Sequence, residues 1–223
     1  MRWLRVAAVV GVMLVGAGCA NAVDGVAVAP PGTHPTANVA LADDGFGIQL
    51  GRSAARVAIE IYVEPQCPHC ARFMMFHGGE IADYIDSGDL QVTYRPVTFL
   101  DNSATGYSHR VSNALFLAAA PDADLSAAEM QNFIDELYWQ ADPSRDDQYL
   151  AGIADTARLP QALVDRIGAR DPGVDTVAMD NANETRLDGI QQIVATPTVY
   201  DLDTHEVVDT TGNNWLKRLV GHR

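Results

Sequence analysis

The feature that most constrains the fold is a strand-like run that stops just short of two cysteines. Val57-Ala58-Ile59-Glu60-Ile61-Tyr62-Val63 is rich in β-branched residues and bounded by turn formers, so it predicts a buried strand. Pro65 ends it, and Cys67-Pro68-His69-Cys70 follows. Pro68 stands where a helix tolerates proline, in the first turn. The junction therefore predicts a helix over 68–85, weakened at Gly78-Gly79, and then a second strand over 90–97. In that strand Gln91, Thr93 and Arg95 alternate with Val92, Tyr94 and Pro96. Strand, helix and strand in this order make a βαβ unit.

The pattern then turns helical for almost a hundred residues. Helices are expected over 107–120, 126–140, 145–157, 160–169 and 174–194, with Ser126 and Glu129 spaced as a capping box. Strands return at 198–202 and 206–209, and a closing helix is expected over 213–220. The helices interrupt a strand–helix–strand, strand–strand–helix frame. The expected fold class is α/β: a thioredoxin-like fold with an inserted all-helical subdomain over about 103–194, in a domain spanning 45–223.

The N-terminal segment bears on the chemistry of the cysteines. Arg2 and Arg5 precede an apolar stretch over 6–15, too short to span a bilayer and suited to an export signal. Two processing readings stay open within residues 1–22. Val15-Gly16-Ala17-Gly18-Cys19 has the form of a lipobox, with Gly16 where leucine is usual, and would leave Cys19 lipidated. Ala20-Asn21-Ala22 is an A-x-A site whose cleavage would discard Cys19. Residues 23–44, rich in Ala, Val, Pro and Gly, read as a linker. Export places the domain in the cell envelope, on the outer face of the membrane, tethered through a lipid anchor if Cys19 is modified. The formal net charge of −14 repels phosphate backbones, so nucleic acid is not an expected partner.

Either reading removes Cys19 from redox chemistry and leaves Cys67 and Cys70 alone in an oxidising compartment. A disulfide across two intervening residues closes a tiny loop and constrains little of the unfolded chain, so the pair reads as reactive rather than structural. A cysteine at a helix start has its thiolate stabilised by free N–H groups and the helix dipole. Cys67 is thus the expected nucleophile and Cys70, one turn inside, the resolving thiol. Pro68 opens the helix, and His69 adds a donor or positive charge beside Cys67. Zinc would want four ligands, and only Cys67, Cys70, His69 and His77 lie near one another in sequence. Covalent haem would need histidine where Ala71 stands. No metal or organic cofactor is expected.

The sequence resembles the DsbA-like family of thioredoxin-fold proteins, the thiol:disulfide interchange proteins of bacterial envelopes. Three features carry the resemblance: the Cys67-Pro68-His69-Cys70 motif after a strand, the long helical insertion, and Ala195-Thr196-Pro197-Thr198 entering a later strand. It covers roughly residues 45–221. It implies that Thr196-Pro197 is a cis-proline motif beside the cysteines, and that Thr196 presents its backbone to an extended substrate chain. It also implies an acid near the pair for proton transfer. Glu64 lies three residues before Cys67. Glu60 lies seven before, one off the family's usual position, so it would need a bulge to reach beneath the cysteines.

The resemblance further implies an enzyme that passes the Cys67–Cys70 disulfide to unfolded or reduced exported proteins and is reoxidised by a membrane quinone-linked partner. An envelope reductase or isomerase is the alternative within enzymes, and a non-catalytic peptide-binding lipoprotein the alternative outside them. His77, His109 and His205 read as surface or helix residues. Trp139, Trp215 and Met74-Met75-Phe76 read as core or groove-lining residues.

Overall fold

The computed structural model describes residues 38–191 and 193–221. The export signal, Cys19 and most of the expected linker lie outside the described residues. Ordered strand begins earlier than Gly45, with a hairpin of β1 (Asn38–Leu41) and β2 (Ile48–Gly51). Four-residue strands are too short to display a period, so this pair left no pattern in the sequence.

The frame then follows in the expected order. β3 (Val57–Val63), α1 (Pro68–Ser87) and β4 (Leu90–Pro96) form the βαβ unit. The helices α2 (Tyr107–Ala118), α3 (Ala127–Trp139), α4 (Asp147–Thr156), α5 (Gln161–Gly168) and α6 (Thr176–Ile190) come next. β5 (Thr198–Asp201), β6 (Glu206–Val207) and α7 (Trp215–Gly221) close the chain. The helices α2–α6 end one to four residues earlier than periodicity predicts, and α1 runs two residues further. The sheet order is β1-β2-β4-β3-β5-β6, with β3 and β4 parallel and every other pair antiparallel.

Position in the sheet explains the composition of β3. It lies between β4 and β5, and Ile59, Ile61 and Val63 are fully or almost fully buried. Each such side chain contributes about 1.5–3 kcal/mol on burial. The polar alternation in β4 does not mark a wet face: Thr93 and Arg95 are both buried. Arg95 sits there because Nε meets Glu60 Oε1 at 2.8 Å and Nη1 meets Asp44 Oδ2 at 2.7 Å. A buried charge is tolerated only when so paired.

Local signals set the helix ends. Ser126 and Glu129 form the full capping box of α3, a device that contributes about 1 kcal/mol. Gly88 ends α1 in the left-handed region at φ 82°, donating its N–H to Ile85 O at 3.1 Å. Gly78-Gly79 does not break α1. Gly78 is buried against α3, where a Cβ would lie 2.3 Å from Asp135 Oδ1. The missing side chain lets the two helices approach.

Candidate active site

The chain leaves β3 at Val63, turns through Glu64, Pro65 and Gln66, and enters α1 with Cys67 as its N-cap. Pro68 occupies the first helical position and Ala71 donates its N–H to Cys67 O at 3.1 Å. This turn leaves Cys67 partly exposed and buries Cys70 completely. Both are free thiols.

The Thr196–Pro197 peptide bond is cis. It brings the start of β5 against the cysteines from the far end of the sequence. Cys67 Sγ donates to Thr196 O at 3.4 Å. Pro68 and His69 are exposed beside it.

The two sulfurs differ sharply in acidity. Cys67 is held down to about 5, first by the hydrogen bond from Cys70. The Cys70 and His69 backbone N–H groups at the helix start add to this, as does a hydrogen bond from the Thr196 side chain, while partial burial opposes. His69 thus acts through its backbone amide. Cys70 is pushed far upward by burial and by its position beside the Cys67 sulfur. One sulfur is a ready thiolate, and the other keeps its proton.

Beneath the pair lies Glu64, with no exposed surface. Its backbone N–H points at Cys70 Sγ at 3.4 Å. Its carboxylate accepts from Gln66 N at 2.6 Å and from Ser108 Oγ. Burial pushes its pKa up to about 7, against the pull of those donors and with further push from the charges of Asp101 and Cys67. An acid with that affinity can hold or release a proton at neutral pH.

Glu60, the other expected acid, is engaged elsewhere. The β3–β4 ladder runs without a bulge from Val57 to Val63, so nothing shifts Glu60 toward the cysteines. Its oxygens are taken by Tyr62 Oη at 2.5 Å and Arg95 Nε at 2.8 Å.

The sequence reading missed the residues that hold Glu64. Gln66 Nε2 donates to Ser108 Oγ at 3.0 Å and to Asp101 Oδ1 at 2.7 Å. His109, expected on a surface or in a helix, lies in the first turn of α2 and is buried there against Asp101. These contacts span 35 and 42 residues of sequence, so no local spacing could signal them. Of the other aromatic and sulfur candidates, Met74 and Trp215 are core residues. Met75, Phe76 and Trp139 are 49%, 64% and 63% exposed, which sets them apart as surface rather than core.

The likenesses to known proteins agree with this geometry. The profile of the family described as Thioredoxin matches residues 44–219. Among solved structures, the chain is similar to MdbA, a thiol-disulfide oxidoreductase from Corynebacterium diphtheriae. The TM-score is 0.71 at 21% identity, over 82% of this chain and 93% of that one. It is also similar to DsbA from Mycobacterium tuberculosis in its reduced form, with a TM-score of 0.62 at 19% identity, over 80% of this chain and 92% of that one. Among curated sequences it is 29% identical over 182 residues to the serine/threonine-protein kinase PknE of Mycobacterium tuberculosis. That match covers 78% of this chain and 31% of the kinase, so the chain spans about a third of the length of this relative. The cysteine pair at a helix start, the cis-proline opposite it and the helices set between the two halves of the sheet are the DsbA-like form of the fold, and the chain belongs to the thioredoxin family.

Proposed function

We propose that this protein is an extracytoplasmic thiol–disulfide oxidoreductase that donates the Cys67–Cys70 disulfide to reduced, newly exported proteins. The observation that carries this reading is the split between the sulfurs. A partly exposed Cys67 held down to about 5 is a good leaving group, and its partner Cys70 is fully buried. The similarity to MdbA, a thiol-disulfide oxidoreductase, supports it.

In the oxidised protein a substrate thiolate attacks Cys67 Sγ, and the Cys67–Cys70 bond breaks. Cys70 leaves and takes a proton, which the buried Glu64 carboxyl supplies. A second substrate thiolate then attacks the substrate sulfur of the mixed disulfide and expels Cys67 as a stable thiolate. The substrate loses two electrons and gains a disulfide, and the protein gains them as a dithiol. Thr196 lies beside the exposed sulfur, where an extended substrate chain would pair with its backbone. A membrane quinone-linked partner would restore the disulfide, and a lipid on Cys19 would hold the domain near it.

The test is oxidative refolding of reduced ribonuclease by the stoichiometrically oxidised protein, together with its reduction potential. The expected result is recovery of ribonuclease activity, loss of that recovery in Cys67→Ser, and a trapped mixed disulfide when Cys70→Ser is mixed with a peptide disulfide, whose other sulfur leaves as a thiol. A potential near that of thioredoxin, about −270 mV, would overturn the donor direction.

A further inference from the structure

A hydrogen-bonded array runs away from the buried Glu64 carboxylate, and thiol–disulfide exchange as described so far makes no use of its far end. Ser108 Oγ donates to Glu64, and Gln66 gives Glu64 its backbone N–H. The Gln66 side chain ties Ser108 to Asp101 Oδ1. The other oxygen, Asp101 Oδ2, accepts from His109 N at 2.9 Å and faces His109 Nδ1 at 2.9 Å. His109 Nε2 meets Thr98 Oγ1 at 3.3 Å, and Thr98 N donates to Asp180 Oδ1 at 2.6 Å. The Asp101 side chain is 4% exposed and that of His109 10%. His109 also borders a cleft shared with Arg110 and Arg170, on a side of α2 that opens to solvent.

Asp101 is a carboxylate by necessity. Both its oxygens receive donors, from Gln66 on one side and the His109 backbone on the other. An asparagine would set its amide N–H₂ against one of them in either orientation. This buried negative charge lies one residue link from Glu64, and His109 is the group that compensates it.

We propose that Asp101 and His109 form a positioning pair that sets, through Gln66 and Ser108, the proton affinity of Glu64 and with it the pH response of exchange at Cys67–Cys70. The proposal rests on the oxidoreductase reading given above. The Asp101 charge makes proton loss from Glu64 harder, His109 blunts that charge, and Gln66 keeps Ser108 aimed at the carboxylate. The other titratable groups acting on Glu64 are Cys67, Cys70 and, from α3, Tyr138. Those acting on the pair are Asp180 of α6 and, across the cleft, Arg110 and Arg170. Arg110 and Arg170 are already bound to Asp147, which leaves His109 as the partner of Asp101.

The two members act on Glu64 with opposite sign, and this separates positioning from a merely structural role. The probe is the carboxyl carbon-13 shift of Glu64 followed against pH in the reduced full-length domain, read without any activity assay. His109→Leu exposes Glu64 to the full Asp101 charge, and the midpoint is expected to rise by about one pH unit. Asp101→Asn removes the charge, and the midpoint is expected to fall by about one pH unit. Where Asp101→Asn does not fold, Asp101→Ser carries the same expectation. His109→Asn keeps a donor toward Asp101 and is expected to titrate as the parent does. In a Glu64→Gln background, His109→Leu is expected to leave the Cys67 thiolate titration, read at 240 nm, where Glu64→Gln alone puts it. Shifts of the same sign in the two variants, no shift in either, or an undiminished His109→Leu effect on Cys67 without Glu64 would each overturn the proposal. A parent protein that shows the opposite shifts but no disulfide exchange would instead sink the oxidoreductase reading.

Discussion

Glu64 touches Cys70 through its backbone and not its side chain: the Glu64 N–H points at Cys70 Sγ at 3.4 Å, while the carboxylate turns to Gln66 and Ser108. The amide favours negative charge on a sulfur that burial otherwise keeps neutral. Burial raises the pKa of that carboxyl to about 7. The strand end thus supplies, from one residue, a fixed dipole at Cys70 and an acid that titrates near neutral pH.

The first consequence is a pH dependence that differs between redox forms. In the folded dithiol Cys67 is held down to about 5, from an ordinary 9.0. Between those values the unfolded chain binds more protons at this site than the folded one, so folding stability rises with pH. The contribution is fully present above about 9 and is lost as pH falls through 5. The oxidised protein has no such thiol. Urea denaturation of the two forms across pH 5–8.5 should show the reduced form gaining on the oxidised one as pH rises. Parallel curves would show that Cys67 is an ordinary thiol.

Glu64→Gln separates the acid from the turn it stabilises. The amide can still accept from Ser108 or Gln66, but it can no longer exchange a proton at neutral pH. Formation of the mixed disulfide, the step in which Cys70 leaves and takes a proton, should slow by about tenfold or more near pH 7, with binding of a reduced peptide little changed. The slowing should shrink well above pH 7, where the parent's Glu64 has itself lost the proton. Stopped-flow exchange of the oxidised protein with a fluorescent reduced dithiol peptide measures both.

The frame was legible in the sequence where physics is local. Val57–Val63 declared a strand, Pro68 a helix start, and Ser126 with Glu129 a cap, because each depends on neighbours within four residues. Cys67, Cys70 and the Thr196-Pro197 turn were legible as a set of motifs. Arg95 was not, because its polar character in β4 is answered by Glu60 and Asp44, 35 and 51 residues away. Gln66, Asp101, Ser108 and His109 were invisible for the same reason. An Asp, a His, a Ser and a Gln in loops and a helix turn look like solvated residues until the fold closes them around Glu64.

Arg95 gives a prediction that bears on stability alone. It holds Glu60 and Asp44 with side-chain exposures of 5%, 7% and 24%, and Arg186 adds a second contact to Asp44 at 2.9 Å. Arg95→Met leaves the Glu60 charge buried without its cation, and unfolding free energy should fall by about 3–5 kcal/mol. Adding Glu60→Gln removes the stranded charge and should recover a substantial part of the loss. Equilibrium urea unfolding of the single and double variants measures the coupling. Equal losses in the two would mean that the packing of Arg95, not its charge, matters.

Gly78 and Gly79 offer the most direct contrast, because adjacent residues of one helix should respond in opposite directions. Gly79 faces open space, and a Cβ there meets nothing within 4 Å. Gly79→Ala therefore adds helix propensity without a clash and should stabilise the protein by up to about 1 kcal/mol. Gly78 faces Asp135, whose carboxyl carbon would lie 2.6 Å from an added Cβ. Asp135 is also tied to Gln131 Nε2 at 2.9 Å, and Gln131 accepts from Tyr94 Oη at 2.7 Å, so it cannot swing away freely. Gly78→Ala must part α1 from α3 or break that chain, and should cost about 1–3 kcal/mol despite the better propensity. Thermal melts of the two variants decide it, and stabilisation by both would mean that α1 and α3 do not approach at Gly78 as described.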